Sequence, residues 1–119
     1  MSIQEIRPFI PSRDYDASIA FYQALGFSME SVTEDMVLFN ASPCYFFLYR
    51  AAPEEVVRPQ MFQLVVSDLQ AIFETVESQT GIVARYEPIR EERWGKVFYL
   101  WGPSGEMWHV TEFRQETVS

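Results

Sequence analysis

The sequence predicts an α+β protein in which a β-α-β-β-β unit occurs twice within one domain. Two helical stripes carry this reading, each opened by Asp and closed by a Gly-apolar pair, at nearly one spacing along the chain. Each stripe follows a short extended stretch and precedes three strand-like runs. A third observation is the abundance of aromatics, ten Phe, six Tyr and three Trp in 119 residues, since such residues suit pleated, half-buried surfaces. A chain of this length forms one domain and one core, taken as residues 1–119, with the units at about 5–50 and 60–114.

In the first unit, Pro8-Phe9-Ile10-Pro11 is the opening extended stretch. Tyr15, Ile19, Tyr22 and Leu25 fall at helical spacing, with Asp14 as the N-cap and Gly26 as the C′ residue. Strands are expected over Phe27–Val32, Met36–Asn40 and Cys44–Tyr49, with Asn40-Ala41-Ser42-Pro43 turning between the last two. Ala51 to Pro59, with two Pro and two Glu, is the linker.

The second unit opens on Phe62–Val66. Leu69, Ile72, Phe73 and Val76 give a cleaner i, i+3, i+4, i+7 stripe between Asp68 and Gly81, with Glu74 and Glu77 on the solvated side. Strands are expected over Val83–Glu87, Trp94–Trp101 and Glu106–Phe113, and Gly102-Pro103-Ser104-Gly105 is a strong turn signal. Asp14-Tyr15 and Asp68-Leu69 stand 54 residues apart, and Gly26-Phe27 and Gly81-Ile82 stand 55 apart. Two weak signals at almost one offset reinforce each other. The polar tail after Arg114 is expected to fray.

With 17 acidic and 9 basic residues the formal net charge is -8. A phosphate backbone is repelled by such a chain, which argues against nucleic-acid binding. The same field attracts cationic small molecules; it also serves plain solubility, the reading that composition alone favours. Cys44 is the single cysteine, so no intramolecular disulfide forms, and its apolar surroundings suggest a small core residue rather than a nucleophile. No charged-then-apolar signal opens the chain and no apolar run approaches a membrane span, so no membrane association and a cytoplasmic location are expected. No Ser-centred elbow, phosphate-cradling Gly loop or Cys-His pairing is present. Glu91 and Glu92 among Arg90, Arg93 and Lys96 read as a solvated loop with local ion pairs.

Four stretches carry a resemblance. They are Pro11-Ser12-Arg13-Asp14-Tyr15-Asp16-Ala17-Ser18 leading to Phe21-Tyr22 and Leu25-Gly26-Phe27; Val66-Ser67-Asp68-Leu69; Trp94-Gly95; and Gly102-Pro103-Ser104-Gly105. Together they resemble the glyoxalase/bleomycin resistance protein/dioxygenase superfamily, the vicinal oxygen chelate fold, from about Pro8 to Phe113. The Pro-Ser-Arg-Asp and Trp-Gly pairs most resemble its bleomycin resistance branch. The resemblance implies paired βαβββ modules and a homodimer with ligand clefts at the interface, the first strand exchanged between subunits. Pro8 and Pro11 suit such an arm, because proline stiffens a segment and cannot serve a central ladder.

Enzymes of the superfamily hold a divalent metal with side chains from four strands. Counted from Asp14, Asp68 and Gly105, those positions fall at Arg7, at or beside Phe47, at Met61 and at His109. A guanidinium cannot bind a cation, phenyl has no lone pair, and thioether sulfur prefers soft metals. No metal, no cofactor and no catalytic residue are therefore expected, and the first reading is a metal-independent binding protein. An enzyme of the same fold with an atypical metal site is the alternative.

Alternation puts every second strand residue on one face. If His109 faces a cleft, Met107 and Thr111 do too; Phe47 brings Tyr45 and Tyr49, Met61 brings Gln63, and Arg7 brings Phe9. Such a wall, aromatic and thioether-rich with few polar groups, suits a small molecule. Phe9 and Met61 read equally well as core, and His109 equally well as a hydrogen-bonded sheet histidine. Trp94 follows a charged loop, where core packing explains a large ring less readily. The resemblance gives it the role of stacking on a flat ligand, expected here to be aromatic and cationic.

Overall fold

The computed structural model describes residues 2–79, 81–83 and 85–114. The first half holds β1 (Phe9–Ser12), α1 (Tyr15–Ala24), β2 (Ser28–Thr33), β3 (Met36–Ala41) and β4 (Cys44–Arg50). The second holds β5 (Met61–Val65), α2 (Leu69–Ser78), β6 (Arg85–Tyr86), β7 (Arg90–Glu92), β8 (Gly95–Trp101) and β9 (Met107–Phe113). One sheet runs β1-β4-β3-β2 and the other β5-β9-β8-β6, with β7 also on β8. In both, the opening strand lies parallel to the closing one and the remaining pairings are antiparallel. The expected α+β architecture of two like units is therefore present. β1 lies on β4 of its own chain.

The caps act as the sequence suggests. The Asp14 carboxylate accepts from the Ala17 N–H at 3.3 Å, and that of Asp68 from the Ala71 N–H at 3.1 Å, each satisfying a donor the helix leaves free, for about 1 kcal/mol. Gly26 leaves α1 with φ 107°, the left-handed C′ conformation. Gly81 does not play that part: Gln79 is the C-cap of α2, so the C′ position falls one residue before Gly81. α2 ends at Ser78, and the Gln79 carbonyl accepts from the N–H groups of Ile82 and Val83.

Three further expectations are corrected. Cys44 is exposed, because it opens β4 at a hairpin turn. Arg90–Glu92 is a strand rather than a loop, and among the described residues the ion pairs are Arg7–Glu5 and Arg50–Asp35, none within that charged run. Trp94 lies in the turn between β7 and β8, not in a strand. Gly95 follows it because β9 passes so close that a Cβ there would collide with the backbone oxygen of Glu112. Residues 115–119 of the tail and Ala84 of the expected strand lie outside the described residues. No helix among the described residues is long and apolar enough to cross a membrane.

Each helix covers one face of its sheet. Ile10, Phe39, Phe46 and Leu48 are buried with Phe21 and Tyr22 of α1; Phe98, Leu100 and Val110 are buried with Leu69 and Val76 of α2. The halves meet through a polar link inside this core. Glu106 is 2% exposed; its Oε2 accepts from the Tyr22 hydroxyl at 2.7 Å and its Oε1 from the Ser104 N–H at 2.9 Å. The Trp108 indole donates to the same Tyr22 oxygen at 3.2 Å. Burial beside this carboxylate pushes the Tyr22 phenol well above its ordinary value of 10. The Gly-Pro-Ser-Gly turn is tied in as well, since the Ser104 hydroxyl accepts from the Arg13 N–H at 3.1 Å and reaches the Ser12 hydroxyl at 3.3 Å.

Candidate functional site: the open sheet faces

The pleat that aims Phe98, Leu100 and Val110 at α2 aims their strand neighbours the other way. On this open side the pairing sets up rows across the second sheet. Met61 stands beside Met107, Met107 beside Trp101, and Trp101 beside Arg85. The next row is Gln63, His109 and Tyr99. In the first sheet the corresponding row is Phe9, Phe47, Leu38 and Glu30, with Tyr45 and Tyr49 flanking Phe47. The rings of Phe9 and Phe47 stack with centroids 4.5 Å apart. Phe9 is 52% exposed and Met61 67%, so neither is core. Apolar surface of this kind is costly to leave wet, at about 25 cal/mol per Å².

Around His109 a depression of about 250 Å³ is lined by Met61, Phe62, Gln63 and His109. The His109 ring meets Tyr99 edge-on at 4.9 Å, and its Nε2 is buried without a hydrogen-bond partner among the described residues. An imidazole nitrogen kept from water without a partner is costly, and the residue that carries it lines that open depression. The expectation of an ordinary hydrogen-bonded sheet histidine does not describe it. Tyr45 and Gln63, from different sheets, border a crevice of about 160 Å³ whose floor is Phe46, Phe62 and Trp108.

Other expected wall residues behave differently. Thr111 is fully buried; its hydroxyl donates to the His109 carbonyl at 3.1 Å and accepts from Gln63 at 3.4 Å, so it shapes the wall from within. Tyr49 donates its hydroxyl to Glu55 at 2.7 Å, which raises its phenol. Trp94 is not beside His109. It stands past the far end of β8, 44% exposed, its ring 5.8 Å from that of Phe113. There a depression of about 410 Å³ is bordered by Glu91, Glu92, Lys96, Glu112 and Phe113.

The register also corrects the positions counted for a metal. The Phe47 N–H bonds to the Pro8 carbonyl, and the Met107 N–H to that of Gln60. Phe9, not Arg7, is therefore the counterpart of Met61, because the second half places two more residues between strand and cap. Arg7 precedes β1 and stacks over Tyr45 at 4.9 Å. The layer of Met61 is then Phe9, Phe47, Met61 and Met107; that of His109 is Pro11, Tyr49, Gln63 and His109. Proline offers no side-chain donor, and the Tyr49 oxygen is engaged with Glu55. Neither layer fits a divalent ion, and no group of three or more His, Cys, Asp or Glu is placed to hold one among the described residues.

Trp101, Tyr99 and Arg85 were absent from the expected wall. Alternation from Val97 along β8 would have found the first two. Arg85 shares the parity of Val83, a core residue, so alternation along the expected Val83–Glu87 strand does not mark it for the open face.

The model of the Glyoxalase/Bleomycin resistance protein/Dioxygenase superfamily matches residues 3–110. The chain belongs to this superfamily. No curated protein matches the sequence. Among solved structures, the superfamily member here is similar to a bleomycin-binding protein complexed with bleomycin, at 20% identity and TM-score 0.75 over 94% of this chain and 100% of that one. It is similar to a bleomycin resistance determinant encoded on the transposon Tn5, at 20% identity and TM-score 0.76 over 95% and 100%. A lactoylglutathione lyase from Agrobacterium tumefaciens matches at 18% identity and TM-score 0.75, over 94% and 96%. At these identities the likenesses establish the fold.

Proposed function

We propose that this superfamily member is a cytoplasmic, metal-independent binding protein. It sequesters a flat, aromatic, cationic small molecule in a cleft closed when two copies pair through their open faces. One observation carries the reading: two open sheet faces bear the Phe9–Phe47 stack, Met61, Met107 and Trp101, and among the described residues no helix or strand lies over them. Flat rings and thioethers provide large contact area at small entropic cost. A bleomycin-binding protein and a bleomycin resistance determinant of like fold lend support. The depression beside Phe113 is bordered by three carboxylates, Glu91, Glu92 and Glu112, against two cations, Lys96 and Arg114, and this surplus of negative charge supports the preference for a positive ligand. Sequestration needs no chemical step, because a bound molecule is not free to act.

Titration with 2-naphthylmethylammonium and its neutral counterpart 2-naphthylmethanol tests this. The cation should bind more tightly, and Trp94→Ala should weaken it roughly tenfold, about 1.4 kcal/mol. Equal affinity for the two compounds, unchanged by Trp94→Ala, would leave only a likeness of fold. The alternative is an enzyme of the same fold with an atypical metal site, which would need ligands beyond either layer beside the His109 Nε2, a nitrogen without a partner among the described residues. That reading requires a stoichiometric metal on elemental analysis of the purified protein.

A further inference from the structure

The row Met61–Met107–Trp101 ends in a fixed cation at the edge of the sheet. The Arg85 guanidinium lies over the Trp101 ring, its carbon 3.8 Å from the centroid. The two residues are direct partners across the β6–β8 ladder, so the backbone imposes the stack. Among the described residues Arg85 has no carboxylate within ion-pair distance. A cavity of about 450 Å³ opens beside the pair, with Ala17, Ile82, Gly102 and Pro103 on its other sides. Arg85 thus has its flat face occupied by indole and its rotamers restricted, while the N–H edge of the fork stays available. That edge matches a carboxylate with two parallel hydrogen bonds. Glu30 holds the corresponding place in the first sheet, so the feature belongs to the second half and is not a property of the repeat.

We propose that Arg85 and Trp101 form an anion-selective subsite for a planar carboxylate, the acid held by the guanidinium fork and the ring lying along Trp101 toward Met107. It goes beyond the cationic ligand of the binding-protein reading and rests on that reading only in taking the open face as a binding surface. The cation-selecting end at Trp94 and the acid-selecting end at Arg85 would stand at opposite ends of β8, roughly 20 Å apart.

The three tryptophans make the test direct. Their indole N–H signals in an 15N-edited NMR spectrum report Trp101 at the proposed subsite, Trp94 at the opposite end, and Trp108 inside the core. 2-Naphthoate should shift the Trp101 signal and leave Trp108 unmoved, with an affinity about tenfold higher than that of the neutral 2-naphthamide. Arg85→Gln, an exposed edge substitution that preserves the thermal melt, should abolish that difference. Equal binding of acid and amide by the wild type, or an acid preference that survives Arg85→Gln, would overturn the subsite. If 2-naphthylmethylammonium still shifts Trp94 in that case, the binding-protein reading stands without it. If neither compound shifts either signal, both fall.

Discussion

Tyr22 on α1 donates its hydroxyl to Glu106 at 2.7 Å, joining residues 84 positions apart in the chain. Tyr22→Phe removes this donor and leaves a carboxylate buried with a single partner, the Ser104 N–H. The expected loss is about 2 kcal/mol at pH 7, because an unsatisfied buried acceptor costs more than the bond itself contributes. Chemical denaturation with both proteins checks it; an unchanged midpoint would mean that Glu106 finds another partner.

The same phenol sets an alkaline limit. Its folded-state value is raised above 10, first by burial and then by Glu106. Below pH 10 both folded and unfolded states carry the proton, and its stabilising contribution is complete. As pH rises past 10 the unfolded state ionises first and stability falls, by at most about 1.4 kcal/mol per pH unit for this group. Tyr22→Phe should therefore lose stability less steeply above pH 10 than the wild type. Parallel slopes would assign the alkaline loss to Tyr15 and Tyr49, whose values are also raised.

Gly95→Ala should destabilise by about 2–4 kcal/mol, since the new methyl meets the Glu112 backbone oxygen rather than a side chain that can move. The Trp94 indole signal should broaden as the β8–β9 ladder opens beside it. A wild-type melting temperature would show that the ladder has slack.

Light scattering at micromolar concentration should give twice the chain mass. Ile3, Ile6, Phe9, Met61 and Val65 are all more than half exposed in the single chain, and pairing would cover such surface. A strict monomer would remove the shared cleft and leave only the shallow depressions of one chain.

Chelator treatment should leave the melting temperature unchanged, and nickel or zinc should not raise it, because a ligand stabilises only the state that binds it. A tightly held stoichiometric metal would mean that His109 and Gln63 find further ligands that one chain does not provide.

Much of this was legible in the sequence. The capping Asp residues and the two-residue period of β9 are local features, so the sequence placed α1 and α2 and put Met107 and His109 on one face. Errors arose where spacing had to be carried across a joint. Counting back from the cap assumed equal joints in both halves, and it put Arg7 where Phe9 stands. The apolar run at Cys44 suggested core, but a hairpin turn exposes its first residue whatever follows. Thr111 has the parity of His109, yet alternation cannot reveal that its hydroxyl is consumed by Gln63 and the His109 carbonyl. The acidity of Glu91 and Glu92 suggested a loop, although an edge strand tolerates charge on both sides because only one of its ladders is filled.

The bond between Tyr22 and Glu106 lies under the helices, while Phe9, Met61, Trp101 and Arg85 lie on the opposite side of the sheets. Substitutions on one side therefore leave the other largely untouched. A lineage descending from this chain can exchange its surface side chains one at a time, trying new molecules without first unfastening its two halves. The pocket is free to drift because the joint is not part of it.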